Sequence, residues 1–385
     1  MEELLTRGVE KIYPSKEELE KTLASGKKLK IYFGIDPTGA LHIGHGSNLL
    51  KLREFQDAGH EIIILYGSFT AQIGDPTDKL APRQPLTSEQ VKANATSYRE
   101  LIGKILDLSK ASVRFIDNEE WINQLKPADL LHLAAEFTVS QLLERDMFQE
   151  RLKQGKEVRL HEFLYPVFQA YDAVTLDVDM QLGGNDQTFN MLAGRTLMRK
   201  LKNKEKFVFA TKLLVDPMGK KMGKTEGNMV TLDDAPSEIY GKVMSWPDTL
   251  LPLAFEICTR LPLAEMIKLA AEKPKEAKMK LAREIVRIYY NESEAETAEN
   301  NFVKTFSKKE IPEVMEEAKI NSGDSLIDLL IKTGVVKSKS ESRRLLDEGA
   351  IYNLDTGEKI TDPLFAVKES VRLRVGKRRF IRLVI

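Results

Sequence analysis

Apolar and polar positions in the first half of the chain alternate between short strand-like runs and helical periodicity. Leu29 to Ile35 reads as a strand, closed by the turn Asp36-Pro37-Thr38-Gly39. A helical pattern starts near Gly44 and places Leu49, Leu52, Phe55 and Gln56 on successive turns, with Gly59 positioned to end it. Glu61 to Tyr66 is a short apolar run of the kind buried on both faces of a parallel sheet. Glycine and proline crowd from Gly67 to Pro85, which predicts loop. Helical stretches return over Ser88 to Ile105, Ala128 to Arg145 and Glu162 to Val174, followed by a strand and glycine turn at Val178 to Gly184. This order predicts an α/β fold, a doubly wound parallel sheet with its ligand crevice beyond the carboxyl ends of the strands.

The pattern changes after a glycine- and lysine-rich loop at Met218 to Asn228. Ala235 to Glu317 is charged and helix-prone with no convincing strand, and reads as a separate helical domain. Asn321-Ser322-Gly323 reads as a linker. Leu326 to Thr333 and Glu341 to Glu348 follow as short helices, the second with Ser338 and Glu341 at capping-box spacing. Short strands with turns at Asp355-Thr356-Gly357 and Gly376-Lys377 complete a small α+β module. A length of 385 residues agrees with two or three domains.

Composition narrows the class without naming a function. Hydrophobic residues at 42% and charged residues at 30% describe a globular protein, and no apolar run reaches membrane-spanning length. The N-terminus Met1-Glu2-Glu3-Leu4-Leu5 is acidic where a signal peptide would be basic, and Cys258 is the only cysteine, which excludes an intrachain disulfide. Both features predict a cytoplasmic protein. Lysine plus arginine (58) balance aspartate plus glutamate (58), yet from Val371 onward Arg372, Arg374, Lys377, Arg378, Arg379 and Arg382 occur with no acidic residue. One end of the chain is basic, as a phosphate backbone requires.

The richest chemistry lies in the first strand-turn-helix, Tyr32-Phe33-Gly34-Ile35-Asp36-Pro37-Thr38-Gly39-Ala40-Leu41-His42-Ile43-Gly44-His45. A helix N-terminus presents unpaired N–H groups that suit phosphate, two histidines there can donate to phosphoryl oxygens, and Gly44 permits close approach of a purine. A zinc half-site is the competing reading of His42 and His45, but no neighbouring carboxylate or cysteine completes it, so no metal site is expected. A second motif, Lys221-Met222-Gly223-Lys224-Thr225, sets lysines in a glycine-rich loop that could close on a triphosphate and neutralise a leaving pyrophosphate. The pair predicts ATP-driven activation of a small carboxylate and leaves the substrate open. In the helix Leu160 to Asp172, Tyr165, Gln169 and Asp172 stand at i, i+4 and i+7, a polar stripe that is costly to bury unless a ligand meets it.

The two signatures resemble those of class I aminoacyl-tRNA synthetases, with Gly223 and Thr225 standing where serines are usual. The Tyr165-x-x-x-Gln169-x-x-Asp172 helix and the turn Leu182-Gly183-Gly184-Asn185-Asp186-Gln187 narrow the resemblance to the bacterial tyrosyl-tRNA synthetase family. That resemblance implies a Rossmann-like catalytic domain over residues 1–230 with a dimer-forming insertion at about 115–175. It also implies a helical anticodon-binding domain at 231–320 and a small RNA-binding domain of ribosomal-protein type at 323–385. By the same resemblance, Tyr32 and Asp172 hold a phenol hydroxyl, while Tyr165, Gln169 and Asp75 hold an α-ammonium and Gln187 lies beside the substrate. ATP is assigned to Gly34, Asp36, His42, Gly44, His45, Gly184, Asp186 and Lys224, and catalysis to Thr38, His42, His45, Lys221, Lys224 and Thr225. RNA contacts fall to Arg343, Arg344, Arg372, Arg374, Lys377, Arg378 and Arg379. The implied partners are L-tyrosine, ATP with Mg2+ as substrate complex, tRNA(Tyr) and a second copy of the chain, with no tightly bound metal or organic cofactor and no membrane. Two alternatives share parts of this pattern: a tryptophanyl enzyme, which has no need of the Tyr32–Asp172 pair, and an RNA-binding protein that kept the fold and lost activation.

Overall fold

The computed structural model describes residues 2–75, 86–215, 229–304, 315–336, 338–376 and 379–385. Two compact units divide the chain, Met1–Ala298 and Glu299–Ile385.

The first unit is built on six strands, β1 (Val9–Tyr13), β2 (Lys30–Ile35), β3 (Glu61–Tyr66), β4 (Val113–Asp117), β5 (Met180–Gly184) and β6 (Phe207–Thr211), in the order β1-β6-β5-β2-β3-β4. From β2 the chain steps through β3 to β4 on one side, then crosses to β5 and β6 on the other, with every pair among these five parallel. Only β1 runs antiparallel, against β6 at the edge. The order therefore reverses between β2 and β5, which opens a crevice beyond their carboxyl ends. Central strands are buried on both faces, with Ile31, Tyr32, Ile62, Ile63 and Ile64 fully enclosed, because helices cover the sheet on each side.

Three strands escape the apolar pattern of the sequence. β1 and β4 are edge strands carrying Glu10, Lys11 and Arg114, and β6 is only five residues long. The stretch expected to be loop after Gly67 contains a helix, Ser68–Ile73, bracketed by Gly67 and by Gly74 at φ 81°. Glycine at both ends hid a six-residue helix. Two longer helical stretches are broken: Ser88–Ala95 is followed by Tyr98–Gly103, and Pro127–Ala135 by Val139–Leu143, the last capped by Thr138, whose hydroxyl accepts from the Gln141 N–H. Leu160–Leu176 is one continuous helix. From residue 236 to 302 the described elements are helical, with the three-residue turn Asp248–Leu250 the only 3-10 segment.

The second unit carries β7 (Glu316–Lys319), β8 (Asp324–Ser325), β9 (Ile351–Asn353), β10 (Lys359–Ile360), β11 (Ala366–Val367), β12 (Val371–Val375) and β13 (Arg379–Val384). Five of these form a sheet in the order β10-β9-β12-β13-β7, and β11 pairs with β8. Helices Leu326–Lys332 and Lys339–Asp347 bury Leu329, Leu330, Leu345 and Leu346 against Leu373, Ile381 and Leu383. The Ser338 hydroxyl caps the second helix by accepting from the Glu341 N–H. Along β12 the residues alternate between core and partial exposure, so Val371, Leu373 and Val375 point inward while Arg372 and Arg374 share the outer face.

Candidate active site

The crevice at the β2/β5 switch is a cavity of about 490 Å³. Tyr32, Gly34, Asp36, Thr38, His42, Gly44, His45, Asp75, Tyr165, Gln169, Asp172, Gly184, Asp186 and Gln187 all line it. Residues scattered over more than 150 positions of sequence are thus gathered by one sheet reversal. Lys221, Lys224 and Thr225 lie outside the described residues, but the chain on either side of them, Leu213, Leu214, Met229 and Val230, lines the same cavity.

One end of the cavity is built around the first turn of helix Ile43–Asp57. His42 is its N-cap in extended conformation, and its Nδ1 accepts from the Gly44 N–H at 3.1 Å. His45 closes the reciprocal bond, its Nδ1 accepting from the His42 N–H at 3.2 Å. The histidines therefore form a capping box normally made by serine and glutamate. With both Nδ1 atoms engaged as acceptors, each neutral ring carries its proton on Nε2. Burial first, and the His42 ring 4.1 Å away second, push His45 down to about 3, so it is an uncharged donor at neutral pH. A side chain at Gly44 would meet the His42 ring at 3.0 Å, so glycine keeps the cap in place as well as the approach open.

The turn before this helix is held from outside the motif. The Thr38 N–H donates to Asp36 O at 2.7 Å, Asn94 donates to Pro37 O at 2.9 Å, and the Tyr98 hydroxyl donates to Gly39 O. Backbone of the segment after residue 228 docks here too, Ile43 N–H donating to Val230 O at 2.9 Å and Leu232 N–H to Leu41 O at 2.8 Å. The chain just after the lysine-bearing segment is consequently fixed to the start of the histidine helix.

The other end of the cavity is acidic and aromatic. The Tyr165 hydroxyl donates to Asp36 Oδ2 at 2.8 Å, while Thr70 donates to Asp36 Oδ1 at 2.7 Å. Gln187 donates to Asp75 Oδ2 at 2.6 Å, and Arg145 pairs with Asp75 at 3.5 Å. Asp186 is pushed up to about 6 by burial and then by Asp75. Asp172, fully enclosed, is pushed up to about 7 by burial, against the opposing hydrogen bonds from Trp121 and Asn118. Carboxylates crowded into a partly dry site favour a cation between them. At Gly184 any side chain would strike Asp186 and Leu213 within 2.8 Å, which ties the double glycine to the position of that carboxylate.

No hydrogen bond joins Tyr32 to Asp172. The Tyr32 hydroxyl instead points toward the Gln169 carbonyl at a long 3.5 Å, and Asp172 accepts from Trp121 Nε1 at 2.9 Å and Asn118 Nδ2 at 3.3 Å. An ionised carboxylate has more acceptor positions than these two donors fill, so both groups retain capacity facing the cavity. The sequence reading missed Trp121, Asn118, Tyr98, Asn94 and Thr70, which lie in segments without recognisable motifs; no spacing rule connects them to the residues they hold.

On the second unit, Arg372 donates to Asp355 at 2.6 Å, Arg379 pairs with Glu341 at 2.9 Å, and Arg344 lies 3.9 Å from Glu348. Arg374 stacks over the Tyr352 ring at 4.2 Å, and Arg343 is exposed. The basic run seen in sequence is thus partly balanced by carboxylates from other strands and helices. Lys377 and Arg378 lie outside the described residues.

Residues 24–307 match the family described as tRNA synthetases class I (W and Y). A tyrosine–tRNA ligase of Carboxydothermus hydrogenoformans is 41% identical over 402 residues, covering 99% of this chain and 97% of its own length. A tyrosine–tRNA ligase 2 of Vibrio parahaemolyticus is 40% identical over 389 residues, with 99% and 97% coverage. Among solved structures, a C-terminally truncated mitochondrial tyrosyl-tRNA synthetase of Aspergillus nidulans matches with a TM-score of 0.67 over 79% of this chain and 93% of that one, at 24% identity, a likeness of fold. Sequence, fold and the composition of the cavity converge, and the chain belongs to the tryptophan- and tyrosine-specific class I tRNA synthetases, in the branch of the bacterial tyrosine–tRNA ligases.

Proposed function

We propose that this chain activates L-tyrosine with ATP and transfers it to the 3′-terminal adenosine of tRNA(Tyr). The observation that carries the reading is that one cavity joins a histidine-capped helix N-terminus to a buried Tyr32, Asp172 and Tyr165. The tyrosine carboxylate oxygen attacks the α-phosphorus of Mg-ATP in line. A new O–P bond forms as the bond to the β-phosphate bridging oxygen breaks, yielding tyrosyl-adenylate and pyrophosphate. No side chain serves as nucleophile; catalysis comes from positioning and charge stabilisation.

Thr38 and the Nε2–H groups of His42 and His45 would meet the phosphates, with Lys221, Lys224 and Thr225 neutralising the leaving pyrophosphate. Gly34 and Gly44 give the nucleotide access to backbone, and Asp36, Gly184 and Asp186 line the sugar side. Tyr32 and Asp172 would take the phenol, Tyr165, Gln169 and Asp75 the ammonium, with Gln187 beside them. Phenylalanine would leave the buried Tyr32 and Asp172 groups unanswered, a mismatch that discriminates by roughly 10⁴–10⁵ without editing. Mg2+ enters with ATP as part of the substrate, and no resident cofactor is required.

The same reading includes a three-part division, expected at 1–230, 231–320 and 323–385; the confinement of β1–β6 to residues 9–211 and the helical run from 236 to 302 support the first two parts, while β7 at Glu316–Lys319, paired with β13, moves the start of the third ahead of 323. Exposed Leu131, Val139 and Leu160 support a homodimer contact through the insertion at about 115–175. Arg343, Arg344, Arg372, Arg374, Lys377, Arg378 and Arg379 are proposed to grip tRNA, and the enzyme to work in the cytoplasm. No helix among the described residues is long and apolar enough to cross a membrane. Tyrosine-dependent ATP–pyrophosphate exchange by the purified chain is the deciding assay; absence of exchange with every amino acid would sink the proposal.

A further inference from the structure

Lys206 is fully buried immediately before β6, in a part of the unit where the proposed reaction gives it no role. Its Nζ donates to the Gln181 side-chain carbonyl on β5 and lies 5.7 Å from the centroid of the Tyr32 ring. Gly194 makes the space: a Cβ there would come within 2.7 Å of Nζ. Burial, and then Arg195, hold the Lys206 amine well below the usual lysine range, yet an N–H reaches Gln181 in either protonation state. Gln181 is itself buried, lines the cavity and stands beside Tyr32 in the register of β5 with β2.

We infer that Lys206 is a positioning residue for the tyrosine pocket, acting through Gln181 to fix the direction in which the Tyr32 hydroxyl donates. The amide has one acceptor end and one donor end. Lys206 occupies the acceptor, which leaves the NH2 as the end of Gln181 available to its neighbour Tyr32. Tyr32 can then offer its proton only away from Gln181, toward the Gln169 carbonyl or a ligand hydroxyl in the cavity. Asp172, accepting from Trp121 and Asn118, supplies the opposite polarity. A bound phenol would therefore meet one oriented donor and one oriented acceptor. If the amide turned over, Tyr32 would spend its proton on Gln181 and present only a lone pair.

This inference rests on the tyrosine-activating reading, and two variants test it by pyrophosphate exchange. Lys206→Met keeps length and removes the N–H; Gln181→Glu keeps a partner for Lys206 but replaces the amide donor with an acceptor. Each should raise the tyrosine KM about tenfold and lower the tyrosine-over-phenylalanine ratio of kcat/KM by a similar factor, the scale of one misdirected buried hydrogen bond. The ATP KM should stay within about twofold, because only the amino-acid end is touched. An unchanged tyrosine KM and ratio in a folded Lys206→Met protein overturns the inference, as does a parallel loss of tyrosine and ATP affinity. Should Lys206→Met fail to fold, Gln181→Glu decides alone, parental tyrosine KM overturning it. A parent chain without tyrosine-dependent exchange refutes the functional reading itself, a result distinct from active but unaltered variants.

Discussion

The Trp121 indole nitrogen donates to Asp172 Oδ1 at 2.9 Å across 51 residues of sequence. Trp121 sits in the short helix Glu119–Ile122 that follows β4, and Asp172 on the long helix Leu160–Leu176, so the bond ties an edge of the sheet to the polar stripe lining the cavity. Together with Asn118 it aims the carboxylate and stabilises its charged form. Trp121→Phe should raise the tyrosine KM by roughly ten- to a hundredfold, the worth of a hydrogen bond to a buried charge, while leaving the ATP KM near its parental value. Exchange kinetics at varied tyrosine measure this; unchanged tyrosine KM would separate Trp121 from substrate binding.

Asp172 also predicts a pH dependence of stability. Its carboxyl titrates near 3.8 when unfolded and at about 7 in the native state. Between those values the native chain holds a proton that the unfolded chain has released, so this group makes stability fall as pH rises through the window. Asp172→Asn should flatten that fall, and the gain over the parent should be largest above pH 7. Urea midpoints at a series of pH values give the comparison; parallel curves for the two proteins would contradict it.

His45 acts with the opposite sign. Its native value of about 3 lies below the ordinary 6.5, so the unfolded chain takes up a proton first on acidification. Its contribution to stability is complete above pH 6.5 and is lost as pH falls toward 3. As a neutral Nε2–H donor, it should be worth about 10²–10³ in adenylation rate, read from His45→Ala in single-turnover kinetics, with tyrosine affinity little changed. A pH-rate limb near 6.5 that vanished in the variant would argue that the working form is the cation instead.

Lys224→Ala should lower the adenylation rate far more than the affinity for tyrosine, since in the proposed reaction the charge assigned to it for neutralisation develops only as pyrophosphate leaves. Equal losses in rate and tyrosine affinity would remove it from transition-state stabilisation.

Ending the chain after Ala298 should preserve pyrophosphate exchange and weaken tRNA charging, because the second unit has its own core from Leu326 to Leu383. Cutting at residue 323 instead would leave behind β7, which pairs with β13 and belongs to that core sheet. Loss of exchange in the shorter protein would make the second unit necessary to the active site.

Local sequence determined much of this protein. The apolar runs of β2 and β3, the start of the histidine helix and the polar stripe Tyr165, Gln169 and Asp172 were legible because period and spacing act over a few residues. The motifs likewise named residues between Tyr32 and Gln187 that line one cavity, while Lys221, Lys224 and Thr225 lie outside the described residues. What the sequence did not disclose is how those groups are poised. The histidines look like simple phosphate donors until backbone geometry engages both Nδ1 atoms. Arg372 and Arg379 look unopposed until other elements bring Asp355 and Glu341 to them. Edge strands β1 and β4 carry too many charges to declare themselves, and only pairing with β6 and β3 makes them strands. Tyr32 and Asp172 could be proposed as the phenol-binding pair from the family resemblance, whereas Trp121 and Asn118 on Asp172, and Lys206 on Gln181 beside Tyr32, converge only in the folded sheet. Hydrogen-bond direction in a buried site is set by neighbours in space, and those neighbours are a property of the tertiary fold.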